Sequence, residues 1–262
     1  MKNKINFLNP LIPISLIPFL ISCATVPYTG RRHLILISPR EEMAMGGEAY
    51  KKTLNASKLS HDKEAVEMVR RVGERLASVA EASGFKWEFN LIEDPKTVNA
   101  FCLPGGKVAV YSGLLPVAKE EAGLSVVMGH EIAHALARHG AERMSQGMLA
   151  NFGGAALSIM LANKPAATRD LYAQAYGMGI GLGVMLPFSR SQEAEADHIG
   201  LILMTKAGYD PHETIEFWKR MEKSSKEPNS PFGKYFSTHP DHGERIQNIQ
   251  GWIPEALSYY KK

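Results

Sequence analysis

Hydrophobic positions along the first half of the chain follow a helical period and then an extended one. In residues 62–82 apolar side chains recur every three or four positions, which predicts a helix with one buried face. Residues 85–91 alternate strictly between apolar and polar, as in a half-buried strand. Residues 99–103 and 107–111 flank Pro104-Gly105-Gly106 and read as the strands of a hairpin. We therefore expect helices followed by a small antiparallel sheet.

The second half is predicted to be helical around a buried centre. Residues 119–144 form one long predicted helix, and its middle is almost wholly apolar or small, as in a helix enclosed by its domain. Residues 147–188 are glycine-rich and apolar, with a polar stretch at 163–170. Because each apolar run is short for a bilayer span, we interpret the segment as a lid, with membrane insertion as the alternative. Ser189 is the predicted N-cap of the next helix, and Gln192 completes a capping box.

Composition places the chain among ordinary globular proteins. It has 262 residues, 45% hydrophobic and 22% charged, with a formal net charge of +3. That apolar content excludes disorder as the main state, and two cysteines exclude a disulfide framework. The weak positive excess does not indicate a nucleic-acid partner. We predict a single domain over residues 41–255 and a tail over 256–262.

The N-terminal residues resemble a bacterial lipoprotein leader. Two lysines precede an apolar run at residues 8–21 that is too short to span a bilayer. Leu20-Ile21-Ser22-Cys23 resembles the lipobox, in which the cysteine becomes acylated. The prediction is a signal peptide over 1–22, lipidation at Cys23 and a lipidated tether over 23–40.

The residue after Cys23 bears on location. Ala24 differs from the aspartate that retains such lipoproteins at the inner membrane, so the resemblance favours the periplasmic face of the outer membrane. The alternative is an ordinary secretory peptide or a membrane anchor that happens to contain a cysteine. Cys102 would be the remaining thiol and is interpreted as a small core residue.

The buried helix carries His130-Glu131-Ile132-Ala133-His134. His130 and His134 lie one turn apart on the same face, a spacing at which two imidazoles can bind one Zn²⁺. Glu131 is close enough to exchange a proton with a zinc-activated water. Such a motif arises by chance on the order of 0.02 times in a chain of this composition, so we predict a catalytic zinc site with one ion per chain.

A third ligand is expected from a different helix. An extension of the motif on the same helix would require glycine at 137 and histidine at 140, where the chain has Ala137 and Gly140, and His139 is interpreted as structural. Glu193 supplies the missing carboxylate, and Asp197, one turn later, can accept the outer N–H of a ligating histidine. The alternative is that residues 189–197 form only the solvent-exposed first turns of a helix, where acidic side chains are favoured by the helix dipole.

The motifs together resemble the M48 family of zinc metalloendopeptidases, above all its bacterial periplasmic lipoproteins and more distantly the mitochondrial inner-membrane protease. The resemblance covers most of residues 27–250. It rests on these motifs: Pro27-Tyr28-Thr29-Gly30-Arg31-Arg32, Asn99-Ala100-Phe101-Cys102-Leu103-Pro104-Gly105-Gly106, His130 to His134 with Arg138-His139, Ser189-Arg190 with Glu193 and Asp197, and Ser237-Thr238-His239-Pro240.

The resemblance implies a mainly helical α+β, zincin-like (gluzincin) fold with a small antiparallel sheet beside the active-site helix. It also implies zinc ligation by three side chains, an acid/base glutamate and an outer aspartate: His130, His134 and Glu193, then Glu131, then Asp197. The chain departs from the family pattern at Cys102, where alanine is usual, and at residues 116–121 before the zinc helix.

Two further sites follow from the resemblance. The strand that contains Asn99, Ala100 and Phe101 is a candidate to pair with an extended substrate, with a purely structural role as the alternative. His239 lies in a loop that the resemblance places over the zinc cleft. It is interpreted as a gating ligand, with an oxyanion stabiliser and an exposed residue in a helix cap as the alternatives.

These features predict a zinc endopeptidase tethered to the bacterial envelope by a lipid at Cys23. Its expected partners are the membrane, misfolded or misassembled envelope proteins as substrates, and the envelope assembly machinery. One alternative is a chaperone-like outer-membrane assembly factor with the same fold and little proteolysis. Another is an interaction module with a structural zinc, although structural sites usually have four protein ligands.

Overall fold

A computed structural model describes residues 23–166, 168–170, 189–225, 235, 237, 239 and 244–260. The predicted signal peptide, together with residues 167 and 171–188 of the predicted lid, lies outside them. The elements in chain order are β1 (Cys23–Thr25), β2 (Arg32–Leu34), α1 (Pro39–Asn55), α2 (Lys63–Val79), β3 (Glu88–Ile92), β4 (Ala100–Leu103), β5 (Lys107–Tyr111), α3 (Leu115–Ala118), α4 (Glu121–Leu136), α5 (His139–Met160), α6 (Arg190–Lys206), α7 (Glu213–Ser225) and α8 (Arg245–Ser258). A 3₁₀ turn over Ser112–Leu114 precedes α3.

The N-terminal segment is ordered and packed on the rest of the chain. β1 and β2 pair antiparallel, with Ala24 opposite His33. Val26 is buried in the main hydrophobic core, and Ile35 is also buried. The stretch predicted as a tether therefore belongs to the folded body from Cys23 onwards, because it has apolar side chains to bury. At the other end, α8 continues to Ser258, past the predicted start of the tail.

The three-stranded sheet has the order β3-β5-β4. β4 and β5 pair antiparallel through the predicted turn, so the predicted hairpin is confirmed. β3 pairs parallel with β5, with Leu91 opposite Val110. The sheet is thus mixed rather than antiparallel throughout, because β3 joins the second edge of β5 and runs in the same direction. β4 is left as an edge strand that packs against α4.

Helix α4 occupies the centre of the fold, as its composition predicted. Nearly all its side chains are buried, and it packs against α6, α2 and β4. It approaches α6 closely where Gly129 faces Gly200. A Cβ atom on Gly200 would lie 2.9 Å from the backbone nitrogen of His130, so only glycine allows the two helices to come this close. This contact sets the position of the α4 histidines relative to the acidic residues of α6.

The helix predicted over 119–144 is broken in two. α4 ends at Leu136, and Arg138 adopts a left-handed conformation with φ of 55° before α5 begins at His139. The Arg138 guanidinium holds this turn, because Nε donates to Glu42 at 2.7 Å and Nη2 donates to the Ile37 carbonyl at 3.0 Å. The prediction of one continuous helix was wrong because the turn is stabilised by residues distant in the sequence.

The start of α6 agrees with its sequence signal. Ser189 caps the helix, and a reciprocal capping box with Gln192 is present. Gly208 has φ of 86° just after the helix, as a left-handed terminator. Within the described ranges of the chain, no helix has both the length and the apolar character needed to cross a bilayer.

Candidate metal centre

Helix α4 presents His130 and His134 side by side, as their spacing predicted. Both rings are buried, and their Nε2 atoms are 3.1 Å apart. Glu131 is also buried, one residue along the helix. The three side chains of the predicted motif therefore lie in one enclosed site, where unpaired polar groups would be costly.

Helix α6 contributes Glu193 from the opposite wall. One carboxylate oxygen is 3.3 Å from His134 Nε2 and the other is 3.5 Å from His130 Nε2. Burial raises the pKa of Glu193, but hydrogen bonds with the surrounding histidine rings outweigh it and hold that pKa well below its usual range. The residue is thus a buried carboxylate in its charged form, as a metal ligand must be.

His239 joins the same cluster. Its Nδ1 atom is 3.1 Å from Glu193 Oε1 and 3.4 Å from His130 Nε2. The residue is only 4% exposed, which contradicts the alternative in which it is merely exposed in a helix cap. The structure therefore brings it together with the three predicted ligands, and each of the four offers a ligand atom within 4.8 Å of the others.

The spacing of these four atoms fits a zinc ion. Zn–N and Zn–O bonds of about 2.0–2.2 Å in a tetrahedron place neighbouring ligand atoms about 3.3–3.6 Å apart. The five separations given above, which involve both oxygens of Glu193, run from 3.1 to 3.5 Å, and the four ligand atoms all lie within 4.8 Å of one another. Imidazole and carboxylate donors suit zinc and its borderline-soft neighbours rather than Mg²⁺ or Ca²⁺. The donor set and its geometry thus describe a metal site.

Asp197 lies behind His130, where its spacing from Glu193 had placed it. Its Oδ1 is 2.9 Å from His130 Nδ1. If that nitrogen carries the proton, it donates to the carboxylate, and Nε2 is left with its lone pair directed into the cluster. Asp197 therefore fixes the tautomer in which His130 can bind a metal.

Arg245 on α8 was not anticipated from the sequence. Its Nε donates to Asp197 Oδ2 at 2.6 Å and its Nη2 donates to Glu193 Oε2 at 2.9 Å. The guanidinium stacks 3.8 Å above the Trp218 ring and is fully enclosed. A signal existed, since Arg245 is in helical register with Ile249 and Ile253, which are both buried. This arginine compensates two buried carboxylates.

Glu131 occupies the position of a proton acceptor beside the cluster. Burial raises the pKa of its carboxyl. Its Oε1 lies 3.5 Å from His239 Nε2, and among the residues that the structure describes it has no hydrogen-bond partner. Burying a carboxylate oxygen without a hydrogen bond lowers the stability of the fold, and a group retained at that cost is typical of a catalytic site.

The candidate substrate strand lies along α4 at the edge of the sheet. Asn99 immediately precedes β4, its side-chain oxygen accepts from the Ala100 amide, and its carbonyl accepts from the Tyr111 amide. Ala100 is buried, whereas Phe101 is half-buried against Tyr50. Among the described residues, no further strand covers the outer edge of β4.

Cys102, on the same strand, packs against the main core.

His139 and Glu195 lie outside the ligand set. The carboxylate of Glu195 accepts hydrogen bonds from Thr29 and Arg31 rather than joining the ligand cluster. On the continuous helix predicted from the sequence, His139 would face away from the cluster. The break at Arg138 instead brings its Nδ1 to 2.8 Å from His134 Nδ1. Cys23 is the first residue of β1, opposite Leu34.

Comparison with known proteins agrees with this site. The model of peptidase family M48 matches residues 64–253. The mitochondrial metalloendopeptidase OMA1 of Schizosaccharomyces pombe is 39% identical over 234 residues, 88% of this chain and 66% of that protein. The human mitochondrial metalloendopeptidase OMA1 is 32% identical over 243 residues, 88% of this chain and 46% of that protein.

Bacterial proteins match as well. The beta-barrel assembly-enhancing protease of Escherichia coli is 29% identical over 224 residues, 84% of this chain and 45% of that protein. The identity with the fission yeast protein is thus higher, although the motifs indicated bacterial lipoproteins first. The chain spans about half to two thirds of the length of these relatives. The family match and the geometry of the four ligating groups agree, and the chain belongs to peptidase family M48.

Proposed function

We propose that the chain is a zinc-dependent endopeptidase. The observation that carries the proposal is the convergence of His130, His134 and Glu193 beside the buried carboxylate of Glu131. Several relatives are named metalloendopeptidases, which supports the same activity. One zinc ion per chain would be held by the two histidines and the glutamate.

The division of labour follows from the chemistry of these groups. Zinc in this position supplies a Lewis acid that polarises the scissile carbonyl and lowers the pKa of a water molecule. Glu131 takes the proton of the attacking water and returns it to the leaving amine nitrogen. Asp197 keeps the His130 ring in its ligating tautomer, and Arg245 keeps Asp197 and Glu193 charged and in place.

We propose that His239 acts as a gate that closes the metal site when no substrate is bound. In the position that it occupies, Nδ1 faces the ligand cluster and Nε2 faces Glu131 Oε1. A side chain there fills the fourth ligand position and also covers the base, the two places that a substrate carbonyl and its water require. It would have to move away before a peptide could bind. The alternative is that His239 stabilises the oxyanion of the reacting carbonyl.

The substrate would bind as an added strand. β4 presents an edge beside α4, and backbone pairing with Asn99, Ala100 and Phe101 would hold an extended peptide with little regard for its sequence. Such tolerance suits a protease that acts on misfolded or misassembled proteins.

We further propose that the protein works in the bacterial envelope, with a lipid at Cys23 as its anchor on the outer membrane. The support is the lipobox and the similarity to a protease that is named for beta-barrel assembly. The alternative of an assembly factor with little proteolysis rests on that same name. Envelope protein levels in cells that carry wild-type or Glu131→Gln protein distinguish the two, because only the protease depends on Glu131.

The activity is tested with Glu131→Gln in the zinc-loaded full chain. We expect one zinc per chain to remain and casein cleavage to fall about 10²–10⁴-fold, because the base is lost while the ligands stay. Glu216→Gln, an exposed glutamate on α7, is the control and should cleave normally. Undiminished cleavage by the Glu131→Gln protein would overturn the assignment.

A further inference from the structure

The partly buried turn between β1 and β2 binds Glu195 on α6. Thr29 Oγ1 donates to Glu195 Oε1 at 2.5 Å, and Arg31 Nε donates to Glu195 Oε2 at 2.8 Å. The other end of the Arg31 guanidinium is bidentate to Glu142, with both bonds at 2.8 Å. Thr29 and Arg31 belong to the motif at residues 27–32, to which the proposed peptide hydrolysis gives no role. The motif instead holds one buried carboxylate.

That carboxylate leads to a metal ligand. Glu195 Oε2 is 3.0 Å from His139 Nε2, and His139 Nδ1 is 2.8 Å from His134 Nδ1. His134 uses its other nitrogen, Nε2, to face the ligand cluster. One pattern of protons satisfies both contacts. His134 Nδ1–H donates to His139 Nδ1, and His139 Nε2–H donates to Glu195.

The same order of groups occurs at the other metal histidine. His130 Nδ1 meets Asp197, and Asp197 is held by Arg245. The branch behind His134 differs by one imidazole, which lies between the metal histidine and its carboxylate. Outer partners of this kind orient the ligating ring, fix its tautomer and raise its basicity, and their loss weakens metal binding about 10–100-fold.

The break between α4 and α5 makes the second branch possible. On a continuous helix, five residues turn the side chain by about 140°, which would direct His139 away from His134. The left-handed conformation of Arg138 redirects the chain, so the two rings meet edge to face with centroids 4.9 Å apart. Arg138 is itself fixed by Glu42 on α1 and by the Ile37 carbonyl, which follows β2.

We propose that His139 and Glu195 are positioning residues for the metal ligand His134, and that Thr29 and Arg31 hold them in place. The β1–β2 hairpin, residues 23–34, then contributes to the structure of the metal centre. The inference rests on the proposed function, because it takes His134 to be a ligand. It adds a coupling between the docking of residues 27–32 and metal affinity.

The test is the zinc dissociation constant of the full chain, measured by competition with a chromophoric chelator. His139→Asn keeps an acceptor near the Nδ1 position, whereas His139→Gln keeps only a donor toward Glu195. We expect His139→Asn to bind zinc nearly as tightly as the wild type, and His139→Gln and Glu195→Ala to bind about 10–100-fold more weakly. Arg31→Met should weaken binding in the same direction. The control is Arg70→Met, in an exposed pair on α2.

A second measurement needs no substitution. Long-range ¹H–¹⁵N correlation on the zinc-loaded wild type reports which ring nitrogen carries the proton. The inference requires protonated Nδ1 on His134 and protonated Nε2 on His139. A proton on His139 Nδ1 would overturn it, and so would wild-type zinc affinity in both His139→Gln and Glu195→Ala.

The outcomes separate this inference from the proposed function. Glu193→Ala removes a ligand, so unchanged zinc binding in that variant would refute the metal site itself. Tight binding that requires Glu193 but is indifferent to His139, Glu195 and Arg31 would leave the metal site standing and refute the positioning role.

Discussion

Gly200 on α6 faces the backbone of His130 on α4 so closely that a single methyl group would not fit between them. The contact brings α6, which carries the proposed ligand Glu193, against α4, which carries His130 and His134. Spacing between the ligands is therefore set by a backbone contact as well as by side chains.

Gly200→Ala should force α4 and α6 apart. We expect a loss of about 1–3 kcal/mol in the free energy of unfolding and weaker zinc binding, because backbone cannot yield as a flexible side chain can. Denaturant unfolding and chelator competition measure the two effects. Gly47→Ala on α1 is the matched control, since a Cβ there meets no atom within 4 Å, and it should be neutral or slightly stabilising. Equal behaviour of the two variants would contradict the packing argument.

Arg245→Met should unbalance the buried carboxylates. With the guanidinium removed, Asp197 and Glu193 lose a buried cation, which typically costs about 3–5 kcal/mol. The loss should be largest in protein treated with EDTA and smaller with zinc, because the ion neutralises the same carboxylates. Thermal melts with and without metal measure this difference. Arg70→Met should change neither melt appreciably. An identical melting temperature for the metal-free variant and wild type would argue against the role.

His239→Ala distinguishes the gate from the oxyanion stabiliser by sign. If His239 is a self-inhibiting ligand, its removal should preserve or raise kcat/KM toward a casein substrate. If it stabilises the oxyanion, the rate should fall about 10²–10³-fold while zinc is retained. His212→Ala, an exposed histidine, controls for nonspecific effects. A fall of that size at full zinc occupancy would eliminate the gate as the main role.

The carboxylates around Arg31 predict a loss of stability in acid. Burial raises the pKa of Glu142, but hydrogen bonds from Arg31, Gln192 and His33 outweigh that effect and lower the pKa to about 2. The pKa of Glu195 is likewise about 2, because bonds with His139, Thr29 and Arg31 outweigh its burial. Both folded values lie below the usual value of 4.5. Their contribution to stability is therefore complete above about pH 4.5 and is lost as the pH falls toward 2.

Urea unfolding of EDTA-treated protein between pH 6 and pH 2.5 measures this dependence without interference from metal release. Glu142→Gln should be less stable than wild type at pH 6 and should lose less as the pH falls. Glu48→Gln, on the exposed face of α1, should follow the wild-type curve. Parallel curves for Glu142→Gln and wild type would show that the Arg31 cluster does not cause the acid sensitivity.

Cys23→Ser tests the proposed anchor. In a bacterial host supplied with labelled fatty acid, the wild type should incorporate label and Cys23→Ser should not. Cys102→Ala keeps the lipobox intact and should be labelled like the wild type. Label on the Cys23→Ser protein would refute the lipobox.

The parts of the site that lie on one helix were predictable from the sequence. His130, Glu131 and His134 share α4, and Glu193 and Asp197 share α6, so the helical period alone places each set on a face. The buried character of α4 also follows from its composition. Element type was likewise predictable for α2 and for the β4–β5 hairpin, where local periodicity and turn residues determine the structure.

Long-range partners were not predictable in the same way. Arg245 reaches the site because α8 packs on α6, and nothing in the local sequence shows which helix will be its neighbour. The turn at Arg138 was missed because left-handed backbone is expected at glycine, whereas here distant contacts stabilise it at an arginine. The parallel pairing of β3 with β5 depends on the topology of the chain. The alternation of apolar and polar side chains predicts a strand but not the direction in which it pairs.

The wide separation of the site residues along the chain has a consequence for biosynthesis. Arg31 and Glu195, which are in direct contact, are 164 residues apart, and Arg245 lies still closer to the C-terminus. While the chain is being made, the α4 histidines emerge long before Glu193, His239 and Arg245. A nascent or prematurely terminated chain would thus have two imidazoles and no complete metal site. The proposed proteolytic activity would therefore begin only once the chain has been made beyond Arg245, so the earlier segments are not exposed to a complete active site while they emerge.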